Sequence, residues 1–196
     1  MTALGLLAAV PAAQAAPATA LATNCTTQPA SLHPFARWND FGFYTLVSGG
    51  NAEGALTDWT LAGARVVEGN EPFQVGGPAD HRSIALTGGT SVTTAPICID
   101  STYPWFRFFA RNTSGRPAVL KVDILYTDTK GKVRDAGTGD YSTATGAWAA
   151  TGSLGIAIAW QAIPAGSSLP VMFRFRAVGN ASWQLDDVYV DPFARR

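Results

Sequence analysis

After the Ala-rich opening from Met1 to Ala22, no stretch of this chain carries apolar residues at the 3.6-residue period of a packed helix. In its place come short runs of β-branched and aromatic residues, broken by clusters of Gly, Pro, Asn, Asp and Ser. Many short strands joined by tight turns leave that pattern, which points to an all-β fold, a two-sheet antiparallel sandwich. Candidate strands are Phe43–Val47, Trp59–Val67, Ser83–Leu86, Ser91–Thr94, Trp105–Arg111, Val119–Tyr126, Trp148–Thr151, Val171–Ala177 and Trp183–Val190. Three alternate clearly. Phe106, Phe108 and Ala110 oppose Arg107, Phe109 and Arg111. Leu120, Val122, Ile124 and Tyr126 oppose Lys121 and Asp123, and Val171, Phe173, Phe175 and Ala177 oppose Arg174 and Arg176. Successive strand side chains point to opposite faces, so each run is expected to put one face on a core and the other in water.

Turn residues sit where this reading needs them. Asp128-Thr129-Lys130-Gly131 reads as a hairpin connection with Gly at a positive-φ position, and Gly88-Gly89 separates two further runs. The Gly- and Thr-rich stretch from Asp135 to Gly155 reads as loop. With no internal repeat and no linker after about residue 30, one sandwich domain over 31–196 is expected. The chain is 47% hydrophobic, which fills a core of ordinary size. Only 14% of residues are charged and the net charge is zero, which argues against nucleic acid as a partner. No basic amphipathic run marks a membrane-surface helix.

The opening itself reads as an export leader. An uncharged apolar run from Leu4 to Val10 precedes Ala13-Gln14-Ala15, the small-x-small pattern read by signal peptidase. The run is shorter than the about 20 apolar residues that span a bilayer, so no membrane insertion is expected. No Lys or Arg precedes it, which leaves a truncated n-region as part of this expectation. The expected organisation is a signal peptide over 1–15, an extension over 16–30 and then the domain, with the product secreted or at the cell surface. Two cysteines, Cys25 and Cys98, fit an exported chain joined by one disulfide, with two buried free thiols as the alternative.

Catalytic motifs do not stand out. The chain has two histidines, His33 and His81, and three glutamates, Glu53, Glu68 and Glu71, with no metalloprotease, phosphate-loop or nucleophile-elbow pattern. A non-enzyme is expected. Oxygen-bearing residues near both ends suit a different chemistry. Asn51 and Glu53 follow the first run through Gly49-Gly50, and Asp186 and Asp187 lie in the last run. Oxygen donors from separate strands suit Ca²⁺, whereas the plain alternative is an edge strand solvated by its acids.

Gly49-Gly50-Asn51-Ala52-Glu53-Gly54, followed by Trp59-Thr60-Leu61, resembles the opening element of galactose-binding-like jelly rolls, a fold common among carbohydrate-binding modules. Ala52 stands where those modules carry an aromatic residue. Trp183-Gln184-Leu185-Asp186-Asp187-Val188-Tyr189-Val190 resembles their closing strand. The chain is also similar to a family of secreted actinobacterial proteins through Val67–Phe73, Phe106–Asn112 and Asp186–Pro192. The resemblance implies a jelly roll with a structural Ca²⁺ that ties the terminal strands together. It carries the ligand roles to Glu53, with Asn51 beside it, and to Asp186 or Asp187.

Six tryptophans, Trp38, Trp59, Trp105, Trp148, Trp160 and Trp183, invite a sugar-binding reading, because flat rings stack on the C–H faces of sugars. Trp59, Trp105 and Trp183 sit inside strand patterns and read as core. Trp148 and Trp160 flank the Gly/Thr-rich stretch and are the candidate stacking residues, with Asp140 and Tyr141 as polar neighbours. Two function classes follow: a module binding a carbohydrate or cell-envelope glycan, and a structural or adhesive surface protein that uses the sandwich as a protein-binding scaffold.

Overall fold

The computed structural model describes Cys25 and residues 32–102, 105–143, 146–161, 163–164 and 166–191, with Thr138, Trp160 and Gln161 described by backbone alone. The expected leader at 1–15, and all of the 16–30 extension except Cys25, lie outside the described residues. Two antiparallel sheets face each other. The first has the order β10 (Ala149–Ala150), β7 (Trp105–Asn112), β13 (Ser182–Asp191), β4 (Arg82–Thr87), β3 (Arg65–Glu68), with β1 (Thr45–Leu46) on β13 and β11 (Leu154–Gly155) on β7. The second has the order β2 (Thr60–Ala62), β5 (Ser91–Thr93), β12 (Leu169–Ala177), β8 (Ala118–Thr127), β9 (Val133–Thr143), with β6 (Ile97–Ile99) on β12. A short helix, α1 (Ala157–Gln161), falls between β11 and β12 in the chain, and no described helix is long and apolar enough to cross a membrane. The expected jelly-roll sandwich is the observed architecture.

The core is built from the faces that alternation assigned to it. Phe106 and Phe108 of β7 meet Phe173 and Phe175 of β12 across the sandwich, with ring centroids 4.4 and 4.9 Å apart. Leu120, Val122, Trp183 and Leu185 complete the same cluster and are fully buried. Each such side chain stabilises by about 1.5–3 kcal/mol relative to exposure.

Three expectations are corrected. The single run Trp59–Val67 is two strands in different sheets, because Gly63 takes φ +78° and turns the chain from β2 to β3. The expected loop from Asp135 begins with the long edge strand β9, which pairs with β8 from Ala118↔Thr143 to Thr127↔Val133. An edge strand needs only one packed face, so Ala136 and Tyr141 suffice to anchor it and the apolar count stays low. The faces expected in water are also partly covered. Phe109 is buried under an N-terminal strap, residues 32–46, in a second small cluster with Phe35, Tyr44 and Tyr189. On the second sheet, fully buried Asp123 is clamped by Arg174 and Arg176.

The turns hold as read. Gly131 has φ +74°, and Asp128 N–H donates to the Lys132 carbonyl at 2.9 Å. A Cβ on Gly88 would lie 1.9 Å from the Gly179 carbonyl oxygen, so that turn packs backbone on backbone. Gly88→Ala is expected to lower stability by about 1–3 kcal/mol, read as a lower urea midpoint at unchanged slope. Cys25 and Cys98 form a disulfide across a sequence separation of 73 residues, tying the N-terminal segment to β6.

Candidate functional site

The last strand creates a gap in its own sheet. β4 pairs with β13 up to Leu185, and β1 takes over from Tyr189. Between them the register of β13 against β7 slips by one residue, and Asp187 adopts φ +52°. Such a bulge re-aims side chains. Here it brings the Asp187 carboxylate together with those of Glu71 and Asp80, each offering an oxygen within 4.8 Å of the others. All three residues are buried, and among the described residues no N–H donates to the carboxylate oxygens of Asp80 or of Asp187.

The surroundings hold this cluster in place. Asp186 accepts the backbone N–H of Glu71 at 3.2 Å and so ties the Glu71 loop to β13. Glu71 accepts the N–H groups of Phe73 and, at 2.6 Å, Val75. Glu53 accepts the N–H groups of His81 at 2.7 Å and Arg82 at 2.5 Å, which holds the strand that delivers Asp80. Asn51 accepts the Glu53 N–H at 3.4 Å and shapes its own turn. Of the four expected metal residues, then, Asp187 enters the cluster, Asp186 and Glu53 brace it, and Asn51 stands one step behind. Glu71 and Asp80 come from a loop whose spacing carries no cation signature.

Electrostatics follow from that packing. Burial, helped by hydrogen bonding to Glu53 and by the charges of Glu53 and Glu71, raises Asp80 to about 7. Burial and the charges of Asp80 and Glu71 raise Asp187 to about 8, and burial with the Asp187 charge raises Asp186 to about 9. For Glu53 burial acts upward too, but the His81 and Arg82 amides and Asp80 outweigh it and bring it to about 2. The proton of that pair therefore sits on Asp80. Three buried acids forced together, two of them with oxygens that no N–H reaches, suit a hard divalent cation, which takes six to eight oxygen donors.

A second feature lies on the outer face of the first sheet. The strap folds over β7 and β13 and encloses a cleft of about 650 Å³, with Trp38, Phe41 and Phe43 on one side and Arg107 and Asp191 beneath. Phe41 is 69% exposed and Phe43 43%, and His33 lies against Phe43 with centroids 4.0 Å apart. The floor is charged and nearly buried. Asp40 accepts hydrogen bonds from Gly42 N–H at 3.1 Å, Tyr44 O–H at 2.6 Å and Arg107 Nη1 at 2.6 Å. Arg107 donates from Nε to the Thr151 carbonyl at 2.8 Å, and its guanidinium lies 3.9 Å from the Phe35 ring centroid. Exposed flat rings over fixed donors and acceptors can stack on a sugar and orient its hydroxyls.

No family model and no curated protein matches the sequence. Solved structures do match. The CBM22-1 xylan-binding domain from Paenibacillus barcinonensis Xyn10C has a TM-score of 0.52 at 14% identity, over 79% of this chain and 97% of that one. The CBM22-1–GH10 modules of Clostridium thermocellum xylanase 10B, solved with xylohexaose, have a TM-score of 0.52 at 11% identity. The match covers 74% of this chain and 27% of that one, so the chain spans about a quarter of that protein. The fold is shared with carbohydrate-binding modules.

The four residues expected to bind ligand are not brought together. Tyr141 packs inward, 5.7 Å from Phe108 and 5.6 Å from Trp183. Asp140 points the other way and pairs with Lys121 at 3.2 Å. Trp148 immediately precedes β10, half-buried against the cluster that holds Phe109 and under Arg111. Trp160 lies in α1, and its side chain is outside what is described. The rings that line the cleft are Trp38, Phe41 and Phe43, and sequence reasoning assigned none of them a ligand-binding role. The one signal is two Phe within three residues beside Asp40, in a Gly-containing segment too short to be core.

Proposed function

We propose that this chain is a secreted, non-catalytic module that binds a carbohydrate in the strap cleft. The observation that carries the reading is the pair of exposed rings, Phe41 and Phe43, above the buried Asp40–Arg107 floor. Asp40 is committed to three donors, an arrangement that orients a ligand and does not shuttle a proton. The Paenibacillus domain that shares the fold binds xylan, which makes xylan the first glycan to try. Secretion fits the leader pattern and the disulfide.

Ca²⁺ is proposed as a structural partner, held by Glu71, Asp80 and Asp187, with Asp186 and Glu53 bracing them. When bound it supplies positive charge that neutralises the buried acids. The residues themselves join the Glu71 loop, the start of β4 and the bulge of β13.

The test is retention of the full chain on insoluble xylan, other neutral glycans and purified cell walls. Phe41→Ala and Phe43→Ala are each expected to weaken binding about tenfold, the loss of one stacking contact. Absence of saturable retention on any glycan would sink the reading. A second reading has its own observation: Leu32, at 45% exposed, joins Phe41 and Phe43 on the strap, which suits a protein-binding surface. Capture of a protein partner that Phe41→Ala abolishes, with no glycan bound, would establish it.

A further inference from the structure

Six cations of the described chain lie within ion-pair distance of a carboxylate: Arg82, Arg107, Lys121, Arg134, Arg174 and Arg176. Arg65 and Arg111 do not, and the register of the first sheet sets them in one cross-strand row. Arg65 stands opposite Ala85, Ala85 opposite Gln184, and Gln184 opposite Arg111. Adjacent strands are about 4.8 Å apart, so the row places the two arginines about 14 Å apart across the sheet. Ala85, the smallest side chain of the row, leaves a depression of about 340 Å³ between them.

The lining of that depression holds both arginines and no carboxylate, with hydroxyls from Thr87, Thr113 and Ser182. Arg111 is set in advance, since its Nε donates to Gln184 Oε1 and its guanidinium lies 5.3 Å from the Trp148 ring centroid. Arg37, Arg116, Lys130 and Lys132 also have no ion pair among the described residues, but they lie outside the strands, whereas Arg65 and Arg111 share one row of a sheet. Guanidinium groups pair with carboxylate and sulfate oxygens in a forked geometry, while amide and hydroxyl side chains suit sugar hydroxyls.

We propose that this face of the first sheet binds an acidic polysaccharide, whose carboxylate or sulfate groups are held by Arg65 and Arg111 and whose hydroxyls meet Gln184, Thr87 and Thr113. The site is separate from the strap cleft, where Asp40 already neutralises Arg107. It stands or falls without the cleft.

The experiment measures binding of the full chain to polygalacturonate and dextran sulfate, with unsubstituted dextran as the neutral control. Binding to at least one acidic polymer is expected to exceed that to dextran at least tenfold and to weaken as salt is added. Arg65→Ala/Arg111→Ala is expected to abolish the preference. Lys130→Ala/Lys132→Ala, which removes equal charge from the β8–β9 turn, is expected to leave it intact. Thermal unfolding checks that both variants fold, and Arg65→Lys/Arg111→Lys keeps the charge without the fork and is expected to retain part of the binding. Equal loss in the two alanine pairs would reduce the effect to diffuse charge and overturn the site. No preference for either acidic polymer over dextran would overturn it as well, and so would selective binding to inorganic polyphosphate alone.

Discussion

Adding Ca²⁺ to chelator-treated protein at pH 8 is expected to raise the unfolding temperature by about 10 °C, and at pH 5 by far less. The argument begins with the acids of the bulge. Asp80 and Asp187 are raised by burial and mutual charge to about 7 and about 8. A carboxyl whose folded pKa lies above its unfolded value holds its proton more tightly when folded, so stability falls as pH rises from about 4 through that folded value. For Asp80 alone the gap corresponds to at most about 4 kcal/mol, and the coupled groups do not simply add. Glu53 works in the opposite sense. Lowered to about 2, it contributes stability above the ordinary glutamate range and loses it in strong acid. The chelated protein should therefore be more stable at pH 5 than at pH 8. A cation that replaces the lost protons at pH 8 removes that decline. Binding at about a thousandfold above its dissociation constant stabilises by about 4 kcal/mol, or roughly 10 °C for a domain of this size. Mg²⁺, which demands a tighter octahedral shell and keeps its waters, should do much less. Asp187→Asn should abolish the Ca²⁺ response yet raise the chelated unfolding temperature at pH 8, because it removes one crowded charge. Identical melting with Ca²⁺ and with chelator at pH 8 would reject the cation.

What could be read from the residues, and what could not, divides along physical lines. The strands with clear alternation, β7, β8 and β12, lie where their sequences place them, because one apolar face per strand has only one way to meet a core. β9 was invisible for the complementary reason: an edge strand packed on one side tolerates Gly, Thr and Asp. Alternation also says nothing about a strap laid over an outer face, so Phe109 and Arg107 were expected in water and are buried. The closing-strand resemblance pointed to Asp186 or Asp187 without choosing between them, and the bulge puts Asp187 in the cluster. Glu71 and Asp80 lie more than a hundred residues away in sequence, and only the switch from β4 to β1 along β13 gathers them. The disulfide was legible from cysteine number. The cleft was not, since its walls come from the strap and its floor from β7 and β13, and no local pattern joins Phe41 to Arg107.

A buried ion pair latches that strap to the first sheet, and Arg107→Met is expected to cost about 3–5 kcal/mol and to abolish the proposed glycan binding together. Arg107 and Asp40 each expose only 9% of the side chain, and they meet at 2.6 Å. Removing the cation takes the Arg107 counter-charge from a buried Asp40 carboxylate to which Tyr44 and Gly42 still donate, a costly way to break a buried pair. Met fills most of the volume over the Phe35 ring, so the loss reports charge more than a cavity. Asp40→Asn in the same chain removes the stranded charge as well. The double variant should recover much of the stability, and the shortfall from additivity in a double-mutant cycle measures the latch itself. Glycan binding separates the roles. The cleft wall from Trp38 to Phe43 keeps its place only while the strap is seated on β7. A latch that merely stabilises the fold would let the double variant bind as the parent does, whereas a latch that positions the wall would leave it stable and still weak. Urea midpoints within 1 kcal/mol of the parent for Arg107→Met would show instead that the aromatic cluster of Phe35, Tyr44, Phe109 and Tyr189 seats the strap unaided.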